Sequence, residues 1–422
     1  MSTLKPQHDM TGGKTLPSGW RRVRIGNVVA EAKPGFACGT REASGVIQLR
    51  MNNVDTRGGL SWQEFIRVPA DSATVSEYRL EDGDIVFNNT NSVELVGKTA
   101  LFRGYPEPVV YSNHFTRLRV FPDRADPGFV AAWLLSQWQA RTFENICNRW
   151  IGQSAVKSDK LLALEMPLPP LEEQKRIAAI LNEQMGAVER ARAAAQAQLE
   201  AAKALPAAYL RAVFSSPEAQ HWPRVPLGEL AVLGPDNGVF KHRHEFGHGV
   251  PMVNVSDLYR SLAVDLATVE RVQVTDSELQ RFAISRGDLF FCRSSLKREG
   301  VGWCCYVRDV PEPSVFECHV MRVRLNPQKA SPEFVAHYWA HPPVREEVVG
   351  NSRTATMTTM NQADLAGVCV PLPSLSAQQR IAAMLSEQMA SADRARKAIE
   401  EELDAINKLP AALLRRAFNG EL

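Results

Sequence analysis

The feature of this sequence that most limits its fold is an internal repeat. The segment "PLPPLEEQKRIAAIL" (167–181) returns as "PLPSLSAQQRIAAML" (371–385). Other paired segments keep an offset of 202 to 205 residues: Trp20 with Trp222, Gly26 with Gly228, "GDIVF" with "GDLFF", His114 with His319, and "LPAAYLRAVF" with "LPAALLRRAF". A tandem duplication of this length predicts two copies of one structural unit.

Each copy has two parts of different character. The first part contains short apolar runs, such as "DIVF" and "RLRVF", which predict strands between Gly-, Asn- and Pro-rich turns. The segment "PGFVAAWLLSQWQARTFENI" in the same part predicts a helix. The second part is rich in Ala, Glu, Gln, Arg and Leu and almost free of Gly, which is typical of a long helix. The predicted class is therefore mixed α/β (α+β), with two similar globular domains and two long helices.

The repeat also predicts the domain boundaries. We expect a disordered leader at 1–18, a first globular domain at 19–166, a long helix at 167–214, a linker at 215–220, a second globular domain at 221–370 and a second long helix at 371–422.

The sequence around each long segment carries helix start and stop signals. Prolines before Leu171 prevent an earlier start, and Glu172 and Glu173 lie in the first turn, where the helix dipole favours anions. Ser374 is a suitable N-cap for the second helix. Near the far ends, Pro206 and Pro410 are predicted to break or kink the helices.

A stripe of apolar and small residues follows each long segment in alternating steps of four and three. It comprises Ile177, Leu181, Gln184, Val188, Ala191, Ala195, Gln198, Ala202 and Leu205, and then Ile381, Leu385, Gln388, Ala392, Ala395, Ile399, Glu402, Ile406 and Leu409. This spacing predicts a close-packed coiled coil of the two helices. Gln184 and Gln388 share one register, either as buried polar residues that fix the alignment or as solvated interruptions.

Composition excludes some classes of protein. No apolar run reaches the roughly 18 residues of a membrane span, and the polar N-terminus lacks a signal peptide. Seven cysteines without a CxxC pair indicate reduced thiols and a cytoplasmic protein. The formal net charge of +2 is small, so any DNA binding must come from local patches or from partner subunits.

Several of these motifs together resemble a known family. The repeated "PLP" followed by an EQ-R-I helix start, the C-terminal "RRAFNGEL" and the two "GD" strands are similar to the specificity subunit of type I restriction-modification systems, over essentially the whole chain from about Trp20. Family members often have a Gly-rich stretch after the GD strand. This chain has "NNTNSVELVGK" and "RSSLKREGVGW" there, where recognition is expected to vary.

The resemblance implies two target recognition domains, each followed by a conserved helix, with the helices paired antiparallel as a spacer and as a docking surface. It implies double-stranded DNA and two methyltransferase subunits as partners, with restriction subunits joined through the methyltransferase core and no membrane. It also implies that the chain is the non-catalytic part of a restriction enzyme and adenine methyltransferase.

The residues themselves point to a compatible arrangement. Two similar domains at the ends of a rigid spacer of ~50 Å suit two half-sites about one helical turn apart on a duplex, ~34 Å. Because the polar loops of the two domains differ, the predicted target is bipartite and asymmetric. Insertion of a few residues near Ala194 is expected to lengthen the gap between the half-sites.

Polar clusters in each domain are candidates for reading base edges, since Arg, Lys, Asn, Gln, Ser and Thr supply the specific contacts. The alternative for each cluster is a solvated loop. The candidates in the first domain are Arg50, Asn52, Asn53, Asn88, Asn89, Thr90, Asn91, Lys98, Gln153, Ser154 and Lys157. Those in the second are Lys241, His242, Arg243, His244, Arg293, Ser294, Ser295, Lys297, Arg298, Arg353, Thr354, Thr356, Thr358 and Asn361.

Histidines raise two further interpretations. The cluster of His242, His244 and His248 is either a metal site or a basic loop that faces phosphate, and the second is favoured because no Cys or carboxylate has matching spacing. His114 and His319 recur at one strand position and are interpreted as structural histidines in preference to readers. No metal site is expected.

Motifs for catalysis are missing from the sequence. It contains no G-x-G-x-x-G or G-x-x-x-x-G-K-[ST] phosphate loop and no Asn/Asp-Pro-Pro-Tyr/Phe amino-methyltransferase motif. The "EQK" at 173–175 mimics part of a nuclease site but lies in a helix start. We therefore expect a catalytically silent chain without cofactors, with S-adenosylmethionine, ATP and Mg in partner subunits. The alternatives are a coiled-coil scaffold that binds proteins, and a nuclease or methyltransferase in its own right.

Overall fold

The computed structural model of the chain describes residues 16–354 and 357–422, apart from the side chain of Thr354. The predicted leader at 1–18 therefore lies outside the described residues except for its last three positions. The chain divides into two compact units: Met1–Gln196 with Glu401–Leu422, and Ala197–Glu400.

The first globular part contains twelve strands and four helices among its described residues. The strands are β1 (Arg21–Arg24), β2 (Val29–Pro34), β3 (Val46–Leu49), β4 (Ile66–Val68), β5 (Ile85–Asn88), β6 (Thr90–Asn91), β7 (Thr99–Leu101), β8 (Val109–Tyr111), β9 (Phe115–Val120), β10 (Asn148–Trp150), β11 (Gln153–Ala155) and β12 (Glu165–Leu168). The helices are α1 (Ser72–Tyr78), α2 (Pro127–Gln139), α3 (Thr142–Ile146) and α4 (Ser158–Leu162). The first long helix, α5 (Leu171–Phe214), follows.

The second globular part repeats this order. Its strands are β13 (Arg224–Pro226), β14 (Ala231–Asn237), β15 (Phe246–Val253), β16 (Ala263–Val264), β17 (Arg271–Val272), β18 (Asp288–Cys292), β19 (Ser294–Ser295), β20 (Cys304–Val307), β21 (Val315–Phe316), β22 (Val320–Leu325), β23 (Arg353–Thr354), β24 (Thr358–Thr359) and β25 (Cys369–Pro371). Its helices are α6 (Pro217–Gln220), α7 (Leu227–Leu230), α8 (Val255–Leu258), α9 (Asp276–Phe282), α10 (Pro332–Trp339), α11 (Pro342–Gly350) and α12 (Gln362–Gly367), and α13 (Leu375–Phe418) ends the chain.

Sheet topology shows that the two parts share one fold. The main sheet runs β2-β9-β5-β7 in the first unit and β14-β22-β18-β20 in the second, where β16 adds a fifth strand. A second sheet runs β4-β3-β8 and β17-β15-β21, with its last pair parallel in both units. A third runs β10-β11-β6 and β23-β24-β19. The predicted mixed class with tandem globular domains is confirmed.

The aspartate of the "GD" motif forms a buried ion pair with an arginine in both units. Asp84 directly precedes β5 and is almost fully buried. It accepts hydrogen bonds from Arg119 on β9 at 2.7 and 3.1 Å and from the Glu81 backbone N–H at 2.8 Å. In the second unit Asp288 accepts from Arg324 at 2.6 and 2.9 Å. A buried carboxylate needs such partners, and the pair joins β9 to the start of β5 in the first unit and β22 to β18 in the second.

The glutamine of the repeated helix start is a second conserved contact within each unit. Gln174 is buried in the first turns of α5, and its Oε1 accepts from the backbone N–H of Asp126 at 2.9 Å. Its Nε2 donates to the carbonyls of Arg124 and Pro169 at 3.2 and 2.9 Å. Gln378 makes the equivalent bonds in the second unit, with the backbones of Ser331, Lys329 and Pro373. The motif thus fixes the start of each long helix to the loop before α2 or α10.

Each unit combines the start of one long helix with the end of the other. In the first unit Ile177 and Leu181 of α5 share a core with Leu414 and Ala417 of α13. In the second, Leu210 and Phe214 of α5 share a core with Ala382 and Leu385 of α13. This is the arrangement of two antiparallel helices, each 44 residues long.

The ends of the two long helices can be compared with the predicted stop signals. Both helices continue for eight residues beyond their internal prolines, Pro206 and Pro410, so neither proline breaks its helix. Burial of the following turn, with Phe214 or Ala417 in a core, stabilises the helix against the lost backbone hydrogen bond. The linker predicted at 215–220 contains the short helix α6, which Ser216 caps through the Ala219 N–H at 3.1 Å.

The predicted apolar stripe has two positions in each heptad. The residues at one of them are buried as predicted, whereas several residues at the other are exposed. Val188, Ala195 and Ala202 are buried as predicted, but Ala191 and Gln198 are exposed and Leu199 is buried in their place. The same shift by one residue occurs in α13, where Ala395, Glu402 and Leu409 are exposed and Leu403 is buried. Gln184 and Gln388 are both half-buried.

The single helix predicted at 127–146 is two helices in the structure. α2 stops at Gln139 and α3 begins at Thr142, because Arg141 takes a left-handed conformation with φ of 59°. At the start of α13, Ser374 acts as the predicted N-cap and accepts from the Ala377 N–H at 3.4 Å.

Candidate nucleic-acid interface

Strand pairing in the first unit joins two candidate clusters that are about sixty residues apart in sequence. In the β10-β11-β6 sheet, Ser154 pairs with Asn91 and Ala155 pairs with Thr90. The residues after the GD strand and those of the β10–β11 hairpin therefore form one small sheet. The sequence predicted both clusters, but it did not predict that they pair with each other.

Several candidates in the first unit are buried and have their polar atoms bound inside the protein. Asn88 donates to the carbonyls of Thr90 and His114 at 3.1 and 2.9 Å, and its Oδ1 accepts from Asn91 at 2.6 Å. Ser154 is also buried, but its hydroxyl oxygen has no hydrogen-bond partner among the described residues. A side chain that reads base edges needs donors or acceptors at the surface, so base contact by these two residues would require the sheet to open locally. They support the sheet.

The loop at 50–54 holds two more buried candidates. Asn53 accepts from the backbone N–H of Arg50 at 2.8 Å and donates to the carbonyls of Ser61 and Glu64 at 3.0 and 2.7 Å. Lys98 is buried and its Nζ donates to the carbonyls of Met51 and Val54. Burial lowers the pKa of the Lys98 ammonium. The bonds of Asn53 and Lys98 support the loop, and base contacts by these two side chains would require those bonds to be exchanged.

The remaining candidates of the first unit reach the surface. Asn52, Gln153 and Lys157 are exposed, and Asn89, Thr90 and Asn91 are half-buried. Arg50 is half-buried and donates to the Cys38 carbonyl at 2.7 Å, which leaves part of its guanidinium for a ligand. The exposed edge of this unit is thus mainly amide in character.

The second unit forms the equivalent sheet, β19-β24-β23, from its own candidates. Ser294 pairs with Thr359 and Ser295 with Thr358, and Ser294, Ser295 and Thr358 are buried. Those three side chains therefore lie inside the sheet, away from a ligand. Thr356 and the side chain of Thr354 lie outside the described residues.

Cations dominate the exposed candidates of the second unit. Lys297, Arg298 and Arg353 are exposed, while Arg293 is half-buried and donates to the Cys318 carbonyl at 3.4 Å. Asn361 is exposed, but its Oδ1 accepts from the Asp364 N–H at 2.8 Å as the N-cap of α12.

The loop at 241–244 is less uniform than predicted. Lys241 has a largely buried side chain that donates to Glu245 at 3.0 Å and Glu278 at 2.8 Å, so its charge is already neutralised within the protein. The rings of His242 and His244 stack with centroids 5.7 Å apart, and both residues are exposed. Arg243 is exposed and 3.7 Å from Glu270. Only the last three of these candidates remain accessible to a ligand.

Potential metal ligands come together at one place among the described residues. Glu317, Cys318 and His319 bring one ligand atom each within 4.8 Å of the others. The three are consecutive, and His319 Nδ1 already lies 3.0 Å from a Glu317 oxygen. Burial raises the pKa of the Cys318 thiol, which disfavours the thiolate that a metal needs.

The recurring histidines have a backbone role in both units. The carbonyl of His114 accepts from the Asn89 N–H at 3.0 Å, and that of His319 accepts from the Arg293 N–H at 2.7 Å. Burial and the neighbouring Arg50 lower the pKa of the His114 imidazole. The His319 ring is exposed.

Sequence reasoning missed the most exposed apolar side chains near these sheets. Trp150 and Ile151, at the tip of the β10–β11 hairpin, are 60% and 106% exposed, and Leu296, directly after β19, is 83% exposed. The available signal was a pair of large apolar residues directly before Gly152 in an otherwise polar stretch.

Comparison with known proteins gives a consistent result. Residues 17–196 match the family described as type I restriction modification DNA specificity domain. The EcoKI specificity subunit of Escherichia coli (strain K12) is 24% identical over 98% of this chain and 91% of its own length. The StySPI specificity subunit of Salmonella potsdam is 22% identical over 98% and 91%. The first part of the chain therefore matches a DNA specificity domain, and nearly the whole chain is similar to type I specificity subunits.

Two solved structures share the fold of this chain over nearly its whole length. A chain from work on complex assembly and conformational transition of the type I R-M system superposes with a TM-score of 0.70, at 22% identity, and covers 97% of this chain and 100% of the other. The HsdS subunit from Thermoanaerobacter tengcongensis gives a TM-score of 0.61 at 21% identity, over 98% and 100%. The resemblance seen in the sequence is confirmed. Among the described residues, no helix is both long and apolar enough to cross a membrane.

Proposed function

We propose that the chain reads a bipartite, asymmetric DNA target, with one half-site for each globular unit. The supporting observation is the duplicated small sheet, which has the same topology in both units but different exposed side chains. A shared framework places two readers in equivalent positions, while different side chains read different bases.

The chemistry of the two edges leads to a finer proposal. Asn52 and Gln153 give the first unit exposed amides, and amides pair bidentately with adenine. Lys297, Arg298 and Arg353 give the second unit a cationic edge, and these side chains favour guanine O6 and N7. We expect the first half-site to depend mainly on adenine contacts and the second mainly on guanine contacts.

The two long helices serve as the spacer and as the docking surface for two methyltransferase subunits in this proposal. Restriction subunits join through the methyltransferase core. The chain itself holds no cofactor in this arrangement, and S-adenosylmethionine, ATP and Mg act in the partners. The names of the relatives, which are specificity subunits of type I restriction enzymes, support this division of labour.

Methylation mapping tests the proposal directly. DNA from cells that express this chain with its cognate methyltransferase subunit is sequenced for modified adenines, and we expect one two-part motif with a fixed gap. A complex that forms but methylates no such motif would contradict the proposal and favour a protein-binding scaffold.

An insertion tests the spacer. Seven residues added near Ala194, with a matching insertion near Ala398, preserve the helix face and lengthen each helix by ~10 Å. The gap in the methylated motif is then expected to grow by about three base pairs, since half-sites a full turn of 10–10.5 base pairs apart are separated by ~34 Å. An unchanged gap in an active complex would show that the helices do not set the spacing.

A further inference from the structure

The tip of the β10–β11 hairpin presents two large apolar side chains to solvent. Trp150 pairs with Gln153 across the hairpin, and Ile151 and Gly152 form its two-residue turn. Trp150 is 60% exposed and Ile151 is 106% exposed. Gly152 has φ of 77°, and a Cβ built there would meet nothing within 4 Å. The turn therefore projects into open space.

This tip is continuous with the proposed reading edge of the first unit. β11 carries Gln153 and pairs with β6, which carries Asn91. Adjacent exposed apolar side chains rimmed by polar residues mark a contact surface. Because the neighbouring side chains are those assigned to base edges, the tip and the edge would meet the same ligand.

The charge and shape of the hairpin suit a nucleic acid. The segment Asn148–Ala155 contains one cation, Arg149, and no carboxylate. A two-stranded ribbon enters a DNA groove, and an exposed apolar side chain on such an element can separate neighbouring base pairs. A stacked aromatic ring replaces the base contacts that are lost.

We propose that Trp150 and Ile151 act as a wedge that enters the duplex at the first half-site, unstacks one base step and bends the DNA. This inference rests on the proposed function and adds an element that reads the deformability of the target. The wedge is assigned to the first half-site, because the sequence between β23 and β24 in the second unit is Ala355, Thr356 and Met357, without a Trp-Ile pair. Half-site one would then favour a flexible pyrimidine–purine step at the wedge position.

The test uses the full chain assembled with its cognate methyltransferase subunits, on a duplex that carries the motif found by methylation mapping. 2-Aminopurine is placed at each step of the first half-site in turn, and dyes at the duplex ends report bending by energy transfer. We expect one step to become fluorescent on binding and the ends to approach each other.

The variant W150A/I151S is expected to abolish both signals and to weaken binding about 10-fold to 100-fold, which corresponds to the loss of one stacked base contact. W150F is expected to retain most of the fluorescence and the bend. F65A removes another exposed aromatic side chain of the same unit, 37% exposed, and is expected to change neither.

Three results would overturn the inference. If W150A/I151S gives the wild-type fluorescence and bend, the tip is not a wedge, although the proposed function stands. If the variant fails to assemble with methyltransferase subunits, the tip is a protein contact. If the wild-type complex methylates no bipartite motif, both the wedge and the proposed function are wrong.

Discussion

The two globular units place different side chains on one backbone framework. Behind the GD strand, the carbonyl of Lys98 accepts from the Asn88 N–H in the first unit, and that of Trp303 accepts from the Cys292 N–H in the second. The lysine is buried against the 50–54 loop, whereas the tryptophan is partly exposed and stacks with Arg345, 5.3 Å from its ring. The backbone bonds are therefore conserved between units while the surface built on them is free to change.

The faces next to the long helices differ as well. In the first unit Gly128, Ala132 and Asn182 line an open pocket of about 380 Å³. The equivalent positions of the second unit are Glu333, His337 and Ser386, which fill the space with hydrogen bonds: Ser386 donates to Glu333 at 2.7 Å and lies 2.9 Å from His337. Tyr306 donates to the same carboxylate at 2.9 Å. The duplication has diverged here from a small apolar lining to a polar network.

The largest expected difference between the units concerns the buried aspartates. D288A removes the carboxylate partner of Arg324 and is expected to destabilise the second unit by about 3–5 kcal/mol. D84A is expected to destabilise the first unit by less, because the guanidinium of Arg119 still forms an ion pair with the Glu81 carboxylate, 3.1 Å away. Hydrogen exchange of peptides from β5 and β9, or from β18 and β22, measures each unit separately.

D123A is the matched control for this experiment, since its carboxylate is 75% exposed and lies 4.0 Å from Arg124. An exposed pair at that distance contributes little. Equal losses in D84A and D288A would show that the remaining acidic neighbours of Arg119 do not compensate.

The second-largest expected difference between the units is in how much stability each loses at acidic pH. Burial lowers the pKa of His337 to about 4, against the opposing influence of Glu333. The unfolded chain takes up this proton near pH 6.5 and the folded unit does so only near pH 4, so stability is full above pH 6.5 and is lost as pH falls towards 4. The loss is at most about 3 kcal/mol in the second unit. His341, whose pKa burial also lowers, adds a smaller effect of the same sign.

H337A places in the second unit the residue that the first unit has at Ala132. It should remove most of this extra pH dependence, measured by hydrogen exchange between pH 7 and 4.5. His114 gives the first unit a weaker dependence of the same direction. If H337A leaves the pH profile of the second unit unchanged, the buried imidazole is not its source.

The helix-start glutamines are expected to behave alike in both units. Q174A and Q378A each leave buried backbone groups without partners, at a cost of about 1–3 kcal/mol. Q379A is the control, because its side chain is exposed on the same turn. Faster exchange at the start of α5 in Q174A and of α13 in Q378A is the expected signature. A loss confined to one unit would mean that the repeated motif has different roles.

The repeat made most of the architecture predictable from sequence. A segment such as "GDIVF" or "PGFVAAWLL" that occurs twice carries the same strand or helix signal twice, and both elements formed as predicted. The phase of the helix stripe was not predictable, because Ala occupies several of the competing positions around Ala191 and Ala195 and period alone does not separate them. The burial of Leu199 and Leu403 shows which phase of the stripe the structure adopts.

The recognition clusters were predictable as segments but not as individual contacts. Asn88, Asn53 and Lys98 have the side chains of readers, yet their partners come from distant strands and loops, such as the His114 carbonyl 26 residues away and the Val54 carbonyl 44 residues away. Such partners are fixed only by tertiary structure. Trp150 and Ile151 were not among the predicted readers, because the hydrogen bonds to base edges come from polar side chains.

The smallest expected effects on stability, and the sharpest separation of the two units, come from the exposed readers. Q153A should relax base preference in the first half-site alone, and R353A in the second alone, each by about 1–3 kcal/mol of discrimination. R286A, which changes an exposed cation outside the small sheet, is expected to leave both half-sites intact. Methylation sequencing of randomised half-sites measures the preferences position by position. Because each reader belongs to one unit, relaxation of both half-sites by a single variant would contradict the assignment of one half-site to each unit.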